Sequence, residues 1–104
     1  MAALVVLFNL KGEVEKAAYE KWAQTTDVPT VKGLTSINDF KVYKLNAIMG
    51  DENTPPPYQY CEVIDINNME KLGGELSTET MQRVAAEFQE FADNPTFIVS
   101  ELIA

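Results

Sequence analysis

The chain has 104 residues, 46% of them apolar and 10% aromatic, which is the composition of one ordinary globular domain, 1–104, and leaves no room for a second. Sixteen acidic against eight basic residues give a net charge of −8, which repels nucleic-acid phosphates and anionic headgroups, so no nucleic-acid or membrane partner is expected. There is no histidine and one cysteine, Cys61, which excludes Ser-His-Asp and Cys-His nucleophiles, the usual zinc sites and an intrachain disulfide, and fits a cytoplasmic protein.

Residues 3–10, Ala-Leu-Val-Val-Leu-Phe-Asn-Leu, are short, apolar and β-forming, and Lys11-Gly12 ends them. They lack the basic start of a signal peptide, and no run approaches the ~18 apolar residues that cross a bilayer. From Glu13 to about Thr25, Val14, Ala17, Ala18, Trp22 and Ala23 recur at helical spacing, and Pro29 is expected to halt that helix. Strand-forming residues between Thr35 and Ile48 and from Tyr58 to Ile66 flank the polar, proline-rich loop at 50–57. Ser77 reads as the N-cap of a second helix running to about Asp93, Asn94-Pro95 as its stop, and Thr96 to Ile103 as a last strand.

The order βαββαβ predicts an α+β, ferredoxin-like fold: an antiparallel sheet of order 4-1-3-2 with both helices on one face. The other face would carry Val5, Leu7 and Val63, an apolar area that a face-to-face homodimer covers.

Without imidazole, acid or base chemistry falls to carboxyls, tyrosines, lysines or the lone thiol. In the third strand Tyr58, Tyr60, Glu62, Ile64 and Ile66 alternate with Gln59, Cys61, Val63 and Asp65, and the first set is assigned to the helices. Glu62 then sits among apolar neighbours, where lost hydration raises a carboxyl's pKa and suits it to proton transfer. The competing readings are a Glu62 neutralised by Lys41 or Lys44, or one facing the dimer contact. Asp27, one turn from Trp22 at the exit of the first helix, is the second candidate, with a side-chain-stabilised turn before Pro29 as its alternative. Tyr19, Trp22, Tyr43, Tyr58 and Tyr60 offer rings and hydroxyls for a flat polar ligand, although core packing explains such residues equally well. A cavity between the first helix and the sheet is expected to bring Tyr19, Trp22, Tyr60 and Glu62 together. Cys61 reads as a buried, inert thiol. No acidic cluster has metal-loop spacing and no glycine pattern cradles phosphate, so neither a metal nor a nucleotide cofactor is expected.

Tyr19-x-x-Trp22, Asp27-x-Pro29, Pro55-Pro-Pro-Tyr58-x-Tyr60-x-Glu62-Val-Ile-Asp65 and Phe88-x-x-Phe91-Ala92-x-x-Pro95-x-Phe97 together resemble the REDY-like family of small proteins encoded with prodiginine and related pyrrole or indole pigment pathways. More distantly the sequence is similar to EthD-like dimeric α+β barrels, in which a His often follows the helix-one Trp, two residues before a Pro. Asp27 stands there in this chain. The resemblance implies a cofactor-free homodimeric α+β barrel with a ligand cavity between sheet and helices. Three functions follow: an enzyme acting on a reactive small heteroaromatic through Glu62 and Asp27, a non-catalytic carrier of such a molecule, or a cofactor-free oxygenase.

Overall fold

A computed structural model describes residues 2–104. β1 (Ala2–Leu10) leads through a short turn into α1 (Lys16–Trp22), which continues without a break as a π-helical turn (Ala23–Asp27) and α2 (Val28–Lys32). Then come β2 (Ile37–Lys44), β3 (Tyr60–Ile66), α3 (Met69–Glu75), α4 (Glu79–Phe91) and β4 (Ala92–Glu101). The sheet is antiparallel throughout, in the order β2-β3-β1-β4. This is the expected α+β arrangement and 4-1-3-2 strand order. Among the described residues no helix is long and apolar enough to cross a membrane.

Pro29 does not halt the first helix. Its ring clashes with the carbonyl four residues back and it lacks an N–H, but a π turn resolves both by lengthening the preceding hydrogen bonds. The Val28 amide accordingly donates to Ala23, five residues back, and Val28 keeps a helical φ of −60° and ψ of −50°. The wider turn also decides which face stays inside. Tyr19, Ala23, Asp27 and Val31 are all buried at a spacing of four. A regular helix, turning about 100° per residue, would place Asp27 about 80° away from Tyr19.

α3 lies where the sequence reading assigns no element. Asn68 caps it by accepting from the Lys71 amide at 3.0 Å, and Leu72 is buried beneath it. α4 is capped by Thr78 rather than Ser77, through the Met81 amide at 3.3 Å, and buries Met81, Val84 and Phe88. β4 starts at Ala92, earlier than expected, because Asn94 takes a positive φ of 47° beside an irregularity in the β1–β4 register between Leu7 and Asn9. Asparagine tolerates that conformation, and a proline is accommodated in an edge strand at such a bulge.

One face of the sheet packs on the helices. Val6, Phe8, Tyr19, Tyr60 and Phe88 centre one cluster, Val31, Ile37, Phe40, Leu72 and Met81 another, and Leu4, Val42 and Ile64 touch both. Val5, Leu7, Cys61, Val63 and Ile98 alternate onto the opposite face, where they are only half-buried or exposed. Cys61 is therefore not the buried thiol expected, although partial burial still pushes its pKa up.

Candidate functional site

Glu62 lies mid-way along β3, paired in register with Val6 on one side and Val42 on the other, and is only 4% exposed. Neither candidate lysine reaches it: Lys41 pairs with Asp39 at 3.6 Å and Lys44 with Glu20 at 3.2 Å. Its partner is the Tyr19 hydroxyl, which donates to Glu62 Oε2 at 2.9 Å. Tyr19 is completely buried and held edge-on by Phe8, with ring centroids 5.4 Å apart.

Asp27 reaches the same interior from the π turn. It is 5% exposed and has no hydrogen-bonding partner among the described residues, so the side-chain turn before Pro29 does not form. Burial alone pushes its pKa up to about 7. Burial also pushes Glu62 up to about 8, with the neighbouring Asp27 charge adding to the shift and the Tyr19 hydrogen bond opposing it. The Tyr19 hydroxyl is itself raised, first by burial and then by Glu62. The two carboxyls form a coupled pair whose protons are retained near neutrality because water is excluded.

Both carboxyls line a cavity of about 280 Å³ at the junction of the two core clusters. Apart from Gln89 and the two acids its wall is apolar, with Phe40, Phe88 and Phe97 supplying rings and Leu72 and Leu76 forming the α3 side. Phe97 is 51% exposed, and with exposed Leu76, Ala85 and Gln89 it marks the side that meets solvent. Among the described residues no lysine or arginine lines this cavity. Such a space, mostly apolar with a few convergent polar groups, suits a small flat ligand.

The expected grouping of Tyr19, Trp22, Tyr60 and Glu62 around one cavity is corrected. Tyr19 and Tyr60 line a separate cleft of about 380 Å³ with Glu20, Val28 and Lys44. There the Tyr60 hydroxyl donates to Glu20 Oε2 at 2.6 Å, which together with Lys44 lowers the Glu20 pKa. Burial, then Glu20, raises that of Tyr60. Trp22 lines neither space, because its ring packs on Phe88 and Phe91 and its Nε1 donates to Glu87 Oε1 at 3.0 Å. Tyr43, 51% exposed, points to the opposite sheet face, and Tyr58 lies just before β3, half-buried and outside the cavity. Among the described residues no group of three or more acidic or cysteine side chains is placed to hold a metal ion.

Three features are not singled out from the sequence as part of a site, although Phe97 closes one of the family motifs. Gln89 and Phe97 belong to the cavity wall. Glu75, at the end of α3, clasps the turn before β2 by accepting from the Thr35 amide at 3.1 Å, the Thr35 hydroxyl at 2.9 Å and the Ser36 amide at 3.0 Å. The Ser36 and Thr35 donors hold its pKa down at about 2, although the buried Ser36 Oγ beside it reaches no hydrogen-bonding geometry.

Comparison with known proteins gives concordant results. The family model described as REDY-like protein HapK matches residues 2–103. The crystal structure of HapK from Hahella chejuensis is similar with a TM-score of 0.77 and 25% identity, covering 99% of this chain and 93% of that one. An EthD-family protein from Bacillus halodurans is similar with a TM-score of 0.74 and 19% identity, covering 99% of both chains. A dimeric protein of ferredoxin-like fold from Bacteroides fragilis is similar with a TM-score of 0.66 and 11% identity, covering 97% of this chain and 95% of that one. No curated protein matches the sequence.

Proposed function

Since this chain belongs to the REDY-like HapK family, we propose that it is a small cofactor-free enzyme of secondary metabolism that moves a proton on a reactive pyrrole- or indole-type ring. The observation that carries this reading is the pair of buried carboxyls, Glu62 and Asp27, in one apolar, ring-lined cavity. With pKa values near 8 and 7, Glu62 is mostly protonated and Asp27 about half-ionised at neutral pH, which suits the first to general acid and the second to general base.

In the proposed step Glu62 in its acid form gives its proton to a ring carbon. The ring π electrons form the new C–H bond, the O–H bond breaks, and the ring becomes a delocalised cation beside the Asp27 carboxylate. Loss of a proton from the same carbon to either carboxylate restores the aromatic ring. Tyr19 does not touch the ligand in this scheme; it positions Glu62 and steadies its charged form through the 2.9 Å hydrogen bond. Phe40, Phe88 and Phe97 hold the ring.

We further propose that the protein works as a cytoplasmic homodimer joined through the half-bared sheet face of Val5, Leu7, Val63 and Ile98, an apolar area of the kind sheet-on-sheet contacts cover. Light scattering is expected to give twice the chain mass of 11.6 kDa.

The catalytic reading is tested by incubating the protein with indole or 2,2′-bipyrrole in D₂O and following the loss of ring-proton signals by NMR. The wild type is expected to accelerate exchange, and Glu62→Gln to slow it by roughly 10² to 10⁴ with affinity little changed, the usual contribution of a positioned proton donor. Tight binding with no exchange above background in either protein would instead mark a carrier.

A further inference from the structure

The chemistry lining the cavity narrows what it binds. Asp27 is a carboxyl 5% exposed that faces the cavity, and among the described residues it has no hydrogen-bonding partner. A carboxylate held among apolar side chains with no protein donor is costly, and a ligand that brings an N–H to it lowers that cost. Glu62 stands on the same wall with one oxygen already engaged by Tyr19. Three phenyl rings, Phe40, Phe88 and Phe97, complete the enclosure, and aromatic faces attract cations.

The charged and titratable groups on every element around the pair are on the same side of the balance. From α1 comes the Tyr19 hydroxyl, from β3 Glu62 and from the π turn Asp27; among the described residues β1, α2, β2, α3, α4 and β4 contribute no charged side chain to the wall, only Gln89 being polar. The nearby bases are engaged elsewhere, Lys44 by Glu20 and both Lys32 and Lys41 by Asp39.

We propose that this cavity selects planar organic cations, nitrogen heterocycles or amidines carrying a delocalised positive charge and N–H donors, over neutral and anionic rings of the same shape. The positive charge meets Asp27 and Glu62, the ring meets phenyl faces, and an anionic ring meets two acids with no cation to offset them. The inference rests on the reading of this cavity as the ligand site, and it deepens that reading: a cavity complementary to a ring cation is also complementary to a ring that becomes one by taking up a proton.

Three isosteric probes, benzamidinium, benzamide and benzoate, test it by titration calorimetry. Benzamidinium is expected to bind at least about tenfold more tightly than benzamide, with no measurable heat for benzoate, as charge-assisted hydrogen bonds and ring contacts in an enclosed site require. Its affinity is expected to rise between about pH 6 and pH 8.5 while protons are released to buffer, because the cation displaces protons from the carboxyl pair. Asp27→Asn and Glu62→Gln, each checked for folding by circular dichroism, are expected to shrink the preference to about threefold or less while benzamide still binds. Equal affinity for the three probes, or a preference for benzoate, would overturn the proposal. Cation selectivity together with unchanged ring-proton exchange in Glu62→Gln would retire the enzymatic reading and leave the selectivity standing. Loss of exchange in that variant without cation selectivity would do the reverse.

Discussion

The hydroxyl of Tyr19 and the carboxyl of Glu62, 43 residues apart in sequence, meet at 2.9 Å inside the protein, where both side chains are shielded from water. That contact ties the first helix to the third strand and sets one member of the carboxyl pair in place. It also works against the effect of burial, since a hydrogen bond to a carboxylate favours the charged form.

Tyr19→Phe keeps the ring and removes the donor. Glu62 is then expected to titrate higher than in the wild type, and the alkaline limb of any pH–rate profile, where the acid form of Glu62 is lost, to move up with it. The stability cost is expected to be about 1 kcal/mol, typical of one intramolecular hydrogen bond. A Glu62 titration unmoved or lowered in this variant would show that the bond does not set its charge.

Asp27→Asn removes a buried carboxyl whose pKa is raised in the folded protein. Because it and Glu62 hold their protons to higher pH when folded than when unfolded, their contribution to stability is complete below about pH 4 and lost as pH rises through about 7 and 8. The variant is therefore expected to gain on the wild type as pH rises, by about 5 °C in melting temperature at pH 8.5 compared with pH 5, on the order of 1 kcal/mol for a domain this size. Glu62 should also titrate lower, because the charge beside it is gone. Parallel melting curves across that range would contradict the burial of Asp27.

Trp22 is a packing residue by position. Trp22→Ala is expected to cost roughly 3 kcal/mol through lost contacts with Phe88 and Phe91, and Trp22→Phe about 1 kcal/mol through the hydrogen bond to Glu87. Ligand affinity in Trp22→Phe should match the wild type, as calorimetry can check. A large loss of affinity there would put Trp22 at the ligand.

Glu75→Ala frees the end of α3 from the turn at Thr35 and Ser36. With Gly73 and Gly74 in its last turn, that helix has little intrinsic stability of its own. Hydrogen exchange of residues 69–76 is expected to accelerate more than that of β1 and β3, and ligand dissociation from the cavity beneath Leu72 and Leu76 to accelerate with it.

The strand order and the inward parity of β3 were legible because an antiparallel sheet with one covered face writes itself as alternation, and Tyr60, Glu62 and Ile66 obey it. The course of the first helix was not, because Pro29 carries a strong local stop signal that a π turn overrides, and the π turn has no residue signature. Asp27 was singled out, but what makes it notable, burial without a partner, comes from that turn. α3 was hidden by its paired glycines, although Asn68 followed by Glu70 and Lys71 is a recognisable cap. Tyr19 and Trp22 face different neighbours for a reason of geometry: three residues apart on a short helix they diverge by about 60°, enough to send one to β3 and the other to α4.

The direct measurement is a pH titration of ¹³C-labelled carboxyl groups by NMR, following Glu62 and Asp27 in the wild type and in each single variant. The pair is expected to lose its protons in two coupled steps near pH 7 and pH 8, with Glu62 moving down when Asp27 is replaced by Asn. Two independent titrations near pH 4, each indifferent to the other residue, would show hydrated, uncoupled carboxylates and contradict a proton-transfer pair in this cavity.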